Sequence, residues 1–137
     1  MKVDRNLIWL ELRFMGRSHW FEMEHGGRPV GVGSGLCSDV RIDGAGVGLV
    51  HFEFLRMGDA IWLMPNDFAH VRLNAAHLGT ALPLPRRRSL VEFLSYEIEV
   101  VLHSRAPTSE YLRSRNAPVE ATPRTLRFPH AAPLASE

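Results

Sequence analysis

Between residues 7 and 102 the sequence is cut into short runs of Ile, Val, Leu, Phe, Trp and Tyr, with Gly, Pro, Asn or Asp between them. Few windows sustain an apolar pattern of period 3.6, so an ordinary amphipathic helix would have no stripe to bury. The expected strands are 7–14, 19–24, 29–32, 40–42, 51–57, 60–64, 71–73, 89–93 and 96–102. Alternation is clearest in Tyr96-Glu97-Ile98-Glu99-Val100, where two glutamates share one face and the apolar side chains the other. Many short strands joined by turn residues predict an all-β sandwich or barrel.

A chain of 137 residues is long enough for one globular domain with a core and too short for two comfortable ones. After Leu102 the composition shifts. Residues 104–137 hold five of the nine prolines among scattered Ser, Thr, Ala and Arg, with no extended β pattern. The expected division is therefore a β-sandwich domain over 1–103 and a Pro-rich flexible tail over 104–137. Thr122, followed by a proline and set among arginines, is the tail's candidate docking or modification site.

The net charge of +1 provides no global reason to bind nucleic acid or an anionic surface. The longest apolar stretches are broken by charges within about ten residues, against the roughly 20 needed to span a bilayer. No membrane insertion is expected. Acidic residues interrupt the first fourteen positions, which do not read as a signal peptide, and Cys37 is the only cysteine. A reducing cytoplasm is the simpler setting, with no internal disulfide.

The order of turns and strands resembles that of a forkhead-associated (FHA) domain. Val32-Gly33-Ser34-Gly35-Leu36-Cys37-Ser38-Asp39-Val40-Arg41-Ile42 is similar to the family's Gly-Arg turn, its Ser-Asp pair and the apolar strand that follows. Val47-Gly48-Leu49-Val50-His51 resembles its Val-Ser-x-x-His segment. Leu73-Asn74-Ala75 falls where the family has Val-Asn-Gly, with Leu78 as the apolar residue beyond. The resemblance implies an FHA-like sandwich of two antiparallel sheets, built from about ten to eleven short strands, that recognises protein segments with loops at one end. It implies no catalysis and no cofactor.

A phosphate reader needs a guanidinium, a hydroxyl or amide donor, and backbone N–H groups on firmly held loops. Here Ser34 stands at the family's Arg, Gly48 at its Ser, and Ala69-His70 at an Asn-Gly pair. Ordinary phosphothreonine readout is therefore disfavoured. The expected partner-binding loop residues are Ser34, Gly35, Ser38, Gly48, His70 and Arg72. The expected supports are Gly33 for a tight turn, Asp39 for capping, His51 from beneath, and Asn74 tying loops together. The resulting expectation is a scaffold or assembly component, of the kind that diverged FHA-like domains form in bacterial secretion or signalling complexes.

Three other readings compete. A phosphopeptide reader could have moved its cation to Arg72, Arg41 or Arg86-Arg87-Arg88. The arginine run and basic tail could serve a nucleic-acid adaptor, although no aromatic residues interleave the run. Asp67, His70 and His77 could be metal ligands, but their spacing matches no metal motif, and no metal is expected. Gly31-Val32-Gly33-Ser34-Gly35 lacks the Lys and the Ser or Thr of a P-loop and precedes no helix, and Ser34, Asp39 and His51 show no triad order.

Overall fold

The computed structural model describes residues 7–66 and 69–108 and the backbone of 119–121. In chain order its strands are β1 (Ile8–Phe14), β2 (Arg17–Met23), β3 (Val30–Gly33), β4 (Val40–Arg41), β5 (Phe52–Met57), β6 (Ala60–Pro65), β7 (Val71–Leu73), β8 (Ala76–Leu78), β9 (Leu82–Pro83), β10 (Arg88–Phe93), β11 (Tyr96–His103) and β12 (Val119–Ala121). They form a seven-stranded sheet in the order β12-β2-β1-β11-β10-β7-β8 and a five-stranded sheet in the order β4-β3-β5-β6-β9. Among the described residues there is no helix.

The all-β sandwich expected from the sequence is the observed fold. Two pairings depart from the purely antiparallel expectation: β3 with β4, and β2 with β12, are parallel. The first follows from the loop 34–39, which carries the chain out of β3 and back to its starting level. β8, β9 and β12, of three, two and three residues, were not among the expected strands. β11 ends at His103, and β12 lies within the expected tail; the rest of that tail from residue 109, Thr122 included, is outside the described residues.

Alternation along each strand fills the space between the sheets. Leu10, Leu12, Phe21, Val91, Phe93, Ile98 and Val100 come from the larger sheet, and Val30, Val32, Phe54, Ile61 and Leu63 from the smaller. Phe52 joins the two layers, its ring edge-on to Phe93 at 5.0 Å and to Phe54 at 5.7 Å. Arg56 is also buried. It donates to the Met23 and Gly58 carbonyls, so its charge does not go underground unpaired.

The outer face of the larger sheet holds a second set of packed residues. Glu11 lies between the core residues Leu10 and Leu12, and therefore points away from the sandwich, yet it is fully buried. It accepts hydrogen bonds from Ser18 Oγ at 2.8 Å and Arg13 Nε at 3.0 Å, and pairs with His103 Nε2 at 2.8 Å. Burial alone would raise its pKa. The bonds from Arg13, His103 and Ser18 together outweigh that and hold it below its ordinary value.

The β7–β8 hairpin turns through Asn74 and Ala75, both at positive φ, +51° and +73°. Asn is tolerated there; Ala is not, at a cost of roughly 1–2 kcal/mol. Ala75→Gly should raise stability by about 0.5–1 kcal/mol, after allowance for glycine's greater freedom in the unfolded chain. Chemical denaturation would show it as a higher midpoint at unchanged slope; a lower midpoint would contradict the turn geometry.

Candidate functional site

At the end of the sandwich where β3 and β6 finish and β5 and β7 begin, the loops 34–39 and 43–51 meet, and the described ends of a third, Asn66 and residues 69–70, lie at the same end. Backbone bonds join the first two edge to edge: Ser34 N donates to Gly48 O at 2.9 Å and Gly35 N to Leu49 O at 3.0 Å. The contact requires glycine. A Cβ on Gly33 would overlap the Leu49 carbonyl, so the two loops lie together only because position 33 has no side chain. Asp39 Oδ2 accepts from Gly31 N at 2.8 Å, and Asp39 N donates to Gly31 O, which closes the base of the loop 34–39.

The hydroxyls in these loops are turned inward. Ser34 Oγ donates to the Val47 and Gly48 carbonyls at 3.1 and 3.2 Å, and Ser38 Oγ to Leu49 O at 3.0 Å. Gly48 offers a backbone N–H that is already given to His51 Nδ1. A Cβ at Gly48 would make ordinary contacts, so the lack of a hydroxyl there reflects the residue chosen and not a shortage of room. Two large apolar side chains face outward, Leu36 at 77% exposure and Leu49 at 74%, among the exposed polar Arg41, Asp43, Asn66 and His70.

His51 supports this surface from below. Its Nδ1 accepts from Gly48 N at 3.0 Å, which leaves the ring proton on Nε2. That buried Nε2 has no hydrogen-bond partner among the described residues, and the ring lies 5.0 Å from that of Phe93. Burial, and secondarily the charge on His70, push the His51 pKa below the ordinary 6.5. A charged ring would also place a proton on Nδ1 against the Gly48 N–H.

Not every expected site residue is here. His70 is exposed at the end of the third loop, 6.0 Å from His77 between ring centres. Arg72 points away from Val71 and Leu73, as its alternation predicted, but onto the outer face of the larger sheet, where it pairs with Glu92 at 3.4 Å. It does not belong to the loop cluster. Asn74 is also elsewhere: its Oδ1 accepts from Leu90 N and its own N–H donates to Leu90 O, which fixes the β7–β8 hairpin on β10 rather than the loops to one another.

Of the relocated cations considered, Arg88 pairs with Glu99 at the start of β10, the opposite end of that strand from the loops. Arg41 alone of them lies beside the loops, with Nε 3.3 Å from Ser34 O and 3.3 Å from Asp43 Oδ1. Asp67 is outside the described residues, and among those described no three His, Cys, Asp or Glu side chains cluster to hold a metal. No helix of the described residues is long and apolar enough to cross a membrane.

Asn66 does the work expected of Asn74. Its Nδ2 donates to Val50 O at 2.7 Å and its N–H to His51 O at 3.0 Å, so it links the second and third loops. Its place after Pro65, where turns favour Asn, was the available signal. Nothing in the local pattern marked Leu36 and Leu49 as exposed on loops bonded to each other, because the pairing of those loops is a long-range fact.

Strand order and loop arrangement define an FHA-like β-sandwich. Solved FHA domains share it. The chain is similar to the first FHA domain of Mycobacterium tuberculosis Rv1747 at 17% identity, covering 70% of this chain and 97% of that one with a TM-score of 0.61. It is similar to the FHA domain of an Arabidopsis thaliana hypothetical protein at 16% identity, covering 80% and 97% with a TM-score of 0.61. The yeast Dun1 FHA domain, solved in complex with a doubly phosphorylated peptide derived from Rad53, matches at 16% identity, covering 80% and 83% with a TM-score of 0.55. No family profile matches the chain, and no curated protein does.

The neutral His51 predicts an acid-sensitive mouth. Its contribution is intact above pH 6.5. As the pH falls below that value the unfolded chain takes up a proton that the folded chain refuses, and stability is lost until the folded pKa is passed. His51→Asn, which keeps an acceptor near the Nδ1 position but does not titrate, should flatten this part of the stability–pH curve. An unchanged slope would contradict the neutral, buried ring.

Proposed function

We propose that this domain is a non-catalytic protein-docking module, a scaffold or assembly component whose loop mouth takes an apolar protein segment without requiring phosphothreonine. The observation that carries the reading is the orientation of the mouth. The Ser34 and Ser38 hydroxyls and the Gly48 N–H are given to groups within the loops, while Leu36 and Leu49 face outward from loops that are bonded together.

Magnitudes favour this over phosphate recognition. Each charge-assisted bond to a phosphate contributes about 1.5–3 kcal/mol, so two or three missing donors weaken binding by several powers of ten. Burying two leucines recovers about 1.5–3 kcal/mol apiece. The Dun1 domain's phosphorylated peptide supports a peptide as the class of ligand.

Displayed peptide libraries screened against the domain provide the test. Selected peptides should bind equally with and without phosphorylation, and Leu49→Asp should weaken them at least tenfold while leaving the unfolding midpoint nearly unchanged. Binding that needs a phosphothreonine and ignores Leu49→Asp would overturn the reading.

One observation favours a second reading, a phosphopeptide reader with a displaced cation: Arg41 sits against the Ser34 carbonyl. Its guanidinium is shared with Asp43, so the local charge is balanced. If this second reading holds, Arg41→Ala abolishes a phosphorylation-dependent affinity; under the first reading there is none to abolish.

A further inference from the structure

The β7–β8 hairpin carries two histidines that the loop mouth does not use. His70 stands immediately before β7, and His77 is the middle residue of β8. Val71 and Leu73 are buried and Arg72 is exposed, so alternation turns His70 the same way as Arg72, onto the outer face of the larger sheet. His77 lies directly opposite Arg72, and Leu78 opposite Val71. The two histidines are therefore diagonal neighbours across the hairpin, a spacing that aromatic side chains can bridge. Their ring centres are 6.0 Å apart, with the planes inclined at 43°.

That separation suits a shared ion. A zinc–imidazole bond is about 2.1 Å and a ring nitrogen lies about 1.1 Å from its ring centre, so two rings on one tetrahedral ion have centres about 5 Å apart. A small rotation of two exposed side chains closes the difference. Among the described residues neither ring has a hydrogen-bond partner to give up. The cleft beside them, of about 380 Å³, is also lined by Pro65, Asn66, Ala69 and Thr80, and has room for water in the remaining coordination positions. Arg72 directs its guanidinium the other way, to Glu92 on β10 at 3.4 Å. The hairpin itself is fixed on β10 by the two Asn74–Leu90 bonds, so the ligands are held in place before an ion arrives. Spacing along the chain matches no metal motif because strand register, not sequence interval, makes this pair.

We propose that His70 and His77 form a two-histidine site for a divalent transition ion of the class that favours imidazole nitrogen, such as Zn²⁺. Mg²⁺ and Ca²⁺, which prefer oxygen ligands, do not compete for it. The ion staples the entry of β7 to β8. Asn66, on the same cleft, ties the third loop to the second, so the staple lies beside the mouth. The proposal stands whether or not the mouth takes an unphosphorylated segment.

NMR of the histidine rings in the full, untagged chain, titrated with Zn²⁺ and separately with Mg²⁺, tests it. The His70 and His77 signals should move together and saturate with Zn²⁺, and stay still with Mg²⁺. His70→Ala and His77→Ala should each lower the Zn²⁺ affinity of the remaining ring at least about tenfold, because the second ligand of a chelate acts at high effective concentration. Both side chains are exposed, so unfolding midpoints measured without metal should show the two variants as stable as the wild type. Movement of one ring without the other, an affinity unchanged in either variant, or the absence of saturation would overturn the proposal.

Discussion

The mouth of this domain depends on a contact that admits no side chain. At Gly33 the backbone of the loop 34–39 comes so close to the Leu49 carbonyl that any Cβ would collide with it. That approach lets Ser34 and Gly35 bond to Gly48 and Leu49, brings the two hydroxyls onto the opposing carbonyls, and sets Gly48 over His51. His51 in turn rests on Phe93, which packs on Phe52 at the centre of the core. Core, brace and loop surface are thus one connected column of contacts, and the shape presented to a partner is set from the inside.

A rigid mouth built this way binds cheaply in one sense: few side chains have to be ordered when a partner arrives. Its chemistry is limited by the same arrangement. The Ser34 and Ser38 hydroxyls and the Gly48 N–H are engaged across the loops, and Arg41 beside them is paired with Asp43. On the proposed reading Leu36 and Leu49, the large apolar side chains exposed on these loops, make the contact with an apolar segment of another protein.

Much of the fold was legible because its signal is local. Period-two alternation marked the long strands, and turn residues marked the gaps between them. Gly33, Asp39 and His51 could be assigned places near the loops from their order along the chain. Other features depend on register between distant strands. Arg72 was rightly read as facing away from Val71 and Leu73, but only the pairing of β7 with β10 reveals that this direction leads to Glu92 and not to the loops. Asn74 was assigned the tie that Asn66 makes, since a turn asparagine shows that a backbone group is capped without showing whose. The buried Glu11 was invisible for a related reason: it alternates with Leu10 and Leu12 as a solvated residue would, and its bonds to Ser18, across the β1–β2 hairpin, and to His103 on β11 form only once the strands pair.

The central proposal is that this mouth takes its partner without a phosphate, the Ser34 and Ser38 hydroxyls and the Gly48 N–H being held within the loops. Backbone amide NMR of the intact chain, titrated with a degenerate phosphothreonine peptide library and with its unphosphorylated counterpart, addresses it directly. The account predicts no phosphate-dependent shift at Ser34, Gly35, Gly48 or Leu49. Saturable shifts confined to those amides, seen with the phosphorylated library alone, would contradict it.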